Sequence, residues 1–437
     1  AIQRAGEVLV RRELRPEPPR TAWCFRERDP HELVAIFSCA LRRIESREPS
    51  VQAWQYLDAE RALAQARSLD ARAAERGPLH GVPFGVKDII HAATMPSEYG
   101  SPIHRGHRPG RDAACVALLR RAGAVLVGKT VTTEFANVHP GKTRNPLDPG
   151  RTPGGSSSGS AAAVGDRMVP LALGTQTTAS TIRPASFCGV VGYRPTWGDL
   201  RMSGVLEAAG SLDTLGLFAR SIEDIALTRD VLIGAEPKPL AESGKPRIGF
   251  CRTHLWDKAE SPTQRLLEDA ASPLARAGAN VKDAVLPAAS RRIPAAHRAL
   301  SSYEFTRNFA WEIDHHWEAI SETLRNGRLA HGMATSFERY REAREFLATC
   351  RQALDPVFES YDVLLAPAAA GEAPSGLEST GYTGFCTLWT STHVPAVTVP
   401  VLRGPNGLPI GVQLIARRDH DRERSHERPA TNPARSG

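Results

Sequence analysis

The chain has 437 residues, 41% of them hydrophobic and 24% charged, which suits a folded body with a large core and excludes a disordered or fibrous polymer. Its 55 Lys and Arg against 48 Asp and Glu leave a net charge of +7, but the excess is diffuse. The densest basic stretches, 105–111 and 417–428, mix His or acids among the arginines without aromatic interleaving, which argues against nucleic-acid binding.

No apolar run approaches the roughly 18–20 residues that a membrane span needs. The seven cysteines are scattered and form no C-x-x-C, which points to reduced thiols in a cytoplasmic protein rather than a disulfide frame or a zinc site. Residues 1–7 hold no continuous apolar stretch, so no secretory leader is expected.

Along the chain, helix followed by strand is the recurring unit. Residues 57–76 place Ala59, Ala62, Leu63, Ala66 and Leu69 on one helical stripe, with Gly77 as the stop. Over 80–90, Val82, Phe84 and Val86 alternate as in a strand, which puts Lys87 on the opposite face. Asp112 is expected to cap a short helix that ends at Gly123, ahead of a buried strand at 124–127. The same grammar returns as a strand at 247–251, a helix from Ser261-Pro262 to Gly278 and a strand at 279–281.

Residues 290–355 read as mostly helical, and 361–366, 396–402 and 410–415 as strands. This alternation predicts one α/β domain over residues 1–418, a large mixed β-sheet covered by helices on both faces. The remainder, 419–437, is charged and lacks an apolar stripe, so it is expected to be disordered.

The unusual segment is Gly154-Gly155-Ser156-Ser157-Ser158-Gly159-Ser160. A flexible linker is a poor reading, because an Ala-Ala-Ala-Val run and the apolar stretch 168–173 follow at once. A G-x-S-x-G nucleophile elbow centred on Ser157 needs a buried strand just before it. The preceding residues, 145–153, hold three prolines and cannot make a ladder strand.

A third reading takes in the Lys87 segment (Gly81-Val82-Pro83-Phe84-Gly85-Val86-Lys87-Asp88) and the downstream stretch 172–196, which includes Thr177-Thr178-Ala179-Ser180 and Arg183-Pro184. Together with Gly128-Lys129-Thr130, Leu364-Leu365-Ala366-Pro367 and Gly411-Val412-Gln413, these resemble the amidase signature family over roughly 55–416. The resemblance implies that family's fold, with a catalytic core at about 70–210 and a helical insertion at about 290–355. It also implies a catalytic triad of Lys87 as base, Ser156 as bridging serine after a cis peptide, and Ser180 as nucleophile. Backbone N–H groups around Thr177, Thr178, Ala179 and Ser180 would form the oxyanion hole.

Such a triad needs a neutral amine. Lysine normally titrates near 10.4, so Lys87 has to be buried among apolar groups to act as a base at neutral pH. A plain structural role is the competing reading for Lys87, as a strand-end lysine paired with Asp88; Lys129 and Lys142 are rival lysines outside the V-K-D context. Arg183, three residues past the nucleophile, is a candidate clamp for a substrate carboxylate.

Two departures from the family pattern carry expectations. Thr178-Ala179 stands where Gly-Gly is usual, and a β-branched residue at positive φ there would be strained. The charged stretch from Arg417 replaces the usual amphipathic helix, which would leave core surface uncovered.

The function implied is an amidohydrolase that cleaves the C–N bond of a small amide, carboxylate-bearing if Arg183 is a clamp, through an acyl-enzyme. Its partners would be the small-molecule amide and at most a second copy of the chain, with no membrane, metal or cofactor; no Walker A, H-E-x-x-H or Cys/His cluster is present. The alternatives are the amidase-type subunit of a tRNA-dependent amidotransferase, which delivers ammonia to a partner, and a weakly active or non-catalytic relative. The helical insertion and 385–390 are candidate pocket walls.

Overall fold

The computed structural model describes residues 33–71, 76–240 and 244–421. Eleven strands form one mixed sheet: β1 (Trp54–Leu57), β2 (Pro83–Lys87), β3 (Val125–Thr130), β4 (Leu171–Gln176), β5 (Val191–Arg194), β6 (Thr214–Ala219), β7 (Arg247–Phe250), β8 (Asn280–Asp283), β9 (Val363–Pro367), β10 (Ala396–Arg403) and β11 (Pro409–Ile415). Their spatial order is β1-β3-β2-β4-β6-β5-β10-β11-β9-β7-β8. Strands β3, β2 and β4 run parallel, as do β9, β7 and β8, and the strands between the two groups pair antiparallel.

Helices cover both faces, as the alternating pattern predicts. The main ones are α1 (Leu33–Val51), α2 (Ala59–Asp70), α3 (Ala114–Arg121), α4 (Ser158–Gly165), α5 (Ile182–Cys188), α6 (Ile222–Ile233), α7 (Ser261–Arg276), α8 (Ile293–Asn308), α9 (Phe337–Leu354) and α10 (Gly384–Ser391), with shorter helical turns between α8 and α9. The two-residue period of the strands sorts side chains between the faces. In β9, Val363 and Leu365 join the core under α1, α6 and α7, whereas Leu364 and Ala366 join a second core built with α8, α9 and α10. The helical insertion is therefore part of the sheet's cover.

Local differences from the sequence reading have physical causes. The stripe expected over 57–76 begins with strand β1, and Asp58 then caps α2 by accepting from the Arg61 N–H at 3.1 Å. Asp112 does not cap α3: its carboxylate accepts from the Ala93 N–H at 2.8 Å and pairs with Arg120 at 3.2 Å, and α3 starts without a side-chain cap. Strand β3 continues past residue 127 to Thr130, because pairing with β2 holds to that point.

Residues 419–421 are ordered, contrary to the boundary expected at 419. The Asp421 carboxylate accepts from the hydroxyls of Tyr193 and Thr196 and from the Thr196 N–H at 2.8 Å. The rest of that stretch, 422–437, lies outside the described residues, as do residues 1–32 of the expected domain. Strand β11 is buried at every position, so the unusual sequence after it exposes no core there.

Candidate active site

The parallel strands β2 and β4 lie side by side, with Val86 opposite Leu173, and their carboxyl ends open on the same edge. This register brings the last residue of β2, Lys87, against the end of β4. The Lys87 Nζ is 2.9 Å from Thr175 Oγ1 and 2.6 Å from Ser156 Oγ. Thr175 has no counterpart in the sequence reading, because only strand pairing brings it to Lys87.

Ser156 reaches this position through tight packing of the Gly/Ser segment. The Gly155–Ser156 peptide is cis, as the resemblance implies. The next residue, Ser157, is buried with its hydroxyl on the Thr175 carbonyl at 3.2 Å, a setting without room for a nucleophile elbow. A Cβ on Gly174 would stand 2.5 Å from Ser157 Oγ, and one on Gly159 2.2 Å from the Ala53 carbonyl oxygen. Glycine is needed at both points so that the chain can make these close approaches.

Asp88 points away from Lys87 and pairs with Lys129 at 3.0 Å. Lys129 also donates to Ser97 at 2.5 Å and to the Pro96 carbonyl at 3.2 Å, which commits that rival lysine to a structural cluster; Lys142 is exposed. Among the described residues Lys87 has no ion-pair partner, and it is fully enclosed. Burial pushes its ammonium pKa down to about 7, against a smaller upward pull from the Asp213 carboxylate.

Ser180 follows β4 at the entry to α5 and is 9% exposed, against 2% for Ser156 and none for Lys87. Exposure therefore rises from the amine to the serine that would meet a substrate. Ser180 Oγ makes no hydrogen bond among the described residues, so the contact already in place is the one between Lys87 and Ser156.

The turn 177–180 is braced from four directions. Gln176 Oε1 accepts from the N–H groups of Thr181 (2.9 Å) and Ile182 (3.1 Å) at the start of α5. Thr177 donates to Asp213 at 2.6 Å, and the other Asp213 oxygen accepts from the Ala208 and Ala209 N–H groups. Thr178 Oγ1 lies 2.9 Å from His297 Nε2, whose Nδ1 lies 2.9 Å from Ser391 Oγ. Thr390 donates to the Thr178 carbonyl at 2.8 Å. His297 comes from the helical insertion and Thr390 from α10, so both expected wall segments abut this turn. Neither Thr178 nor Ala179 is among the non-glycine residues at positive φ, and the strain expected there is absent.

Asp213 and His297 were not legible as site residues, since each lies in a segment without a motif. Burial raises the Asp213 carboxyl pKa to about 6, and burial lowers that of His297 to about 3, so the imidazole is neutral.

Arg183 is buried, at 3% exposed. It donates to the Gly155 carbonyl at 2.7 Å, to Thr380 Oγ1 at 3.0 Å and to the Gly381 carbonyl. Its sequence position suggests a substrate clamp; its donors hold the Gly155 and Gly381 carbonyls and the Thr380 hydroxyl instead. Among the described residues no group of three or more His, Cys, Asp or Glu side chains could hold a metal ion, and no helix is long and apolar enough to cross a membrane.

Comparison with known proteins places this geometry in a family. The Amidase family model matches residues 35–423. Among curated proteins, a chloroplastic/mitochondrial subunit of the glutamyl-tRNA(Gln) amidotransferase of Oryza sativa subsp. indica is 33% identical, covering 89% of this chain and 83% of that protein. Among solved structures, an amidase aligns with a TM-score of 0.81 at 30% identity, covering 89% of this chain and 93% of the other. The peptide amidase from Stenotrophomonas maltophilia aligns with a TM-score of 0.78 at 29% identity, covering 92% and 94%. The fold, the cis peptide and these matches agree: the chain belongs to the amidase signature family.

Proposed function

We propose that the chain cleaves the C–N bond of a small amide through a Lys87–Ser156–Ser180 triad. The observation that carries this reading is the 2.6 Å approach of an enclosed lysine, with its pKa near 7, to the hydroxyl that would pass its basicity on. A neutral Lys87 withdraws the Ser156 proton as Ser156 accepts that of Ser180, and Ser180 Oγ attacks the amide carbon. The N–H groups of the turn 177–180 stabilise the oxyanion, and the proton returns by the same route to the departing nitrogen. Water then hydrolyses the acyl-enzyme. The reaction requires Ser156 and Ser180 to meet in the substrate complex, where catalytic hydrogen bonds tighten.

The context of this reaction has two readings. Identity to the amidotransferase protein over most of its length favours a role as one component of such a complex, in which the released ammonia serves a partner rather than being waste. The stand-alone amidohydrolase reading rests on the amidase structures. Ammonia release from glutamine and simple primary amides by the purified chain separates them. Turnover without tRNA or partners supports the amidohydrolase; turnover that appears only on adding partner chains and tRNA supports the amidotransferase. A fluorophosphonate probe that labels Ser180→Ala as well as the parent overturns the nucleophile assignment.

A further inference from the structure

A cavity of about 650 Å³ opens between the first turn of α8, the segment 331–335 and the first turn of α9, within the helical insertion and lined by none of the triad residues. Three nitrogen-bearing side chains line it: Arg298, His331 and Arg339. No carboxylate does. Arg298 forms no ion pair among the described residues. The Nδ1 of His331 is buried without a hydrogen-bond partner. Arg339 is paired through one nitrogen only, with exposed Glu342 at 3.1 Å. Pro294 and Ala299 supply apolar wall, and α8 begins there without a side-chain cap.

We propose that this cavity binds a small organic anion, a phosphate or carboxylate carried on a compact apolar group. The guanidinium groups of Arg298 and Arg339 supply charge-assisted donors in fork geometry. The volume exceeds what a bare inorganic anion fills, and the Pro and Ala walls suit an apolar body attached to the charge. The competing anions nearby are the exposed side chains of Glu338, which bonds Ser336, and Glu342; neither lines the cavity. The proposal does not rest on the amide-cleaving reading.

Calorimetric titration of the full chain with phenyl phosphate and, separately, with benzoate tests it. Saturable one-site binding of either probe is expected, and the probe that binds identifies the anion class. The Arg298→Ala/Arg339→Ala double variant is expected to bind about tenfold more weakly or not at all. Arg341→Ala, an exposed arginine of α9 outside the cavity, is expected to bind as the parent does. If the double variant melts early, Arg298→Glu, a single charge reversal, replaces it with the same expectation. Absence of saturation with both probes overturns the proposal. So does equal binding by parent and cavity variants, or equal weakening by Arg341→Ala.

Discussion

The Arg183 guanidinium donates to the Gly155 carbonyl oxygen at 2.7 Å and so holds the peptide that carries Ser156 against the helix that follows Ser180. One side chain ties the two serine-bearing segments together, and with Thr380 and Gly381 it ties both to the loop before α10. Arg183→Ala leaves buried carbonyls without their charged donor. A loss of about 3–5 kcal/mol in unfolding free energy is expected, with partial recovery in Arg183→Lys. The ratio of kcat/KM for carboxylate-bearing over neutral amides is expected to stay as in the parent. A selective rise in KM for carboxylated amides would restore the clamp role.

The proposed mechanism assigns the acid limb of the pH–rate profile to Lys87. With an ammonium pKa near 7, the competent neutral amine grows as pH rises through that value, so kcat/KM is expected to climb about tenfold per pH unit below about pH 7 and level off above it. Lys87→Ala is expected to lower kcat by several orders of magnitude, since it removes the amine that contacts Ser156. Ammonia release against pH, for parent and variant, checks both.

Asp213 tunes that limb. Its carboxylate pulls the Lys87 pKa upward, against burial, and it braces Thr177. Asp213→Asn removes the charge, so the Lys87 pKa falls and the acid limb moves to lower pH. The plateau rate is expected to fall as well, because the amide cannot accept at both positions from Thr177, Ala208 and Ala209. A limb that stays in place would mean that Asp213 acts only as a brace.

The parts of the site legible in the sequence are those held by local chain geometry. The Gly/Ser segment, the V-K-D strand end and the turn before Ser180 each sit within one run of residues, so motif spacing is enough to single them out. The braces are not legible, since Thr175, Asp213, His297 and Thr390 come from separate elements and meet only through sheet register and helix docking. The sequence misleads on Arg183 for the same reason, its partners at 380 and 381 lying 197 and 198 residues downstream. In the fold, the helix–strand alternation is readable wherever a polar turn separates the elements. β1, β4, β5 and β6 lie outside that reading.

The depressed pKa of Lys87 has a thermodynamic consequence that needs no substrate to measure. The unfolded chain holds the Lys87 proton up to about pH 10.5, and the folded chain releases it near 7. Between those values the unfolded state binds more protons, so the residue's contribution to stability rises with pH. Below about pH 7 its burial cost is felt in full; above about pH 10.5 it has vanished. Lys87→Met removes that cost, at about 1.4 kcal/mol for each tenfold change in acid strength, and leaves the hydroxyls of Ser156 and Thr175 without their nitrogen partner at about 1–3 kcal/mol. At about pH 6 the first effect is larger, so the variant is expected to melt above the parent. At about pH 10.5 only the second remains, and the variant is expected to melt below it. The difference in Tm should therefore change sign between about pH 7 and 10.5. A difference that is constant across that range would mean that Lys87 keeps its ordinary affinity for the proton, and the amine could not serve as the base.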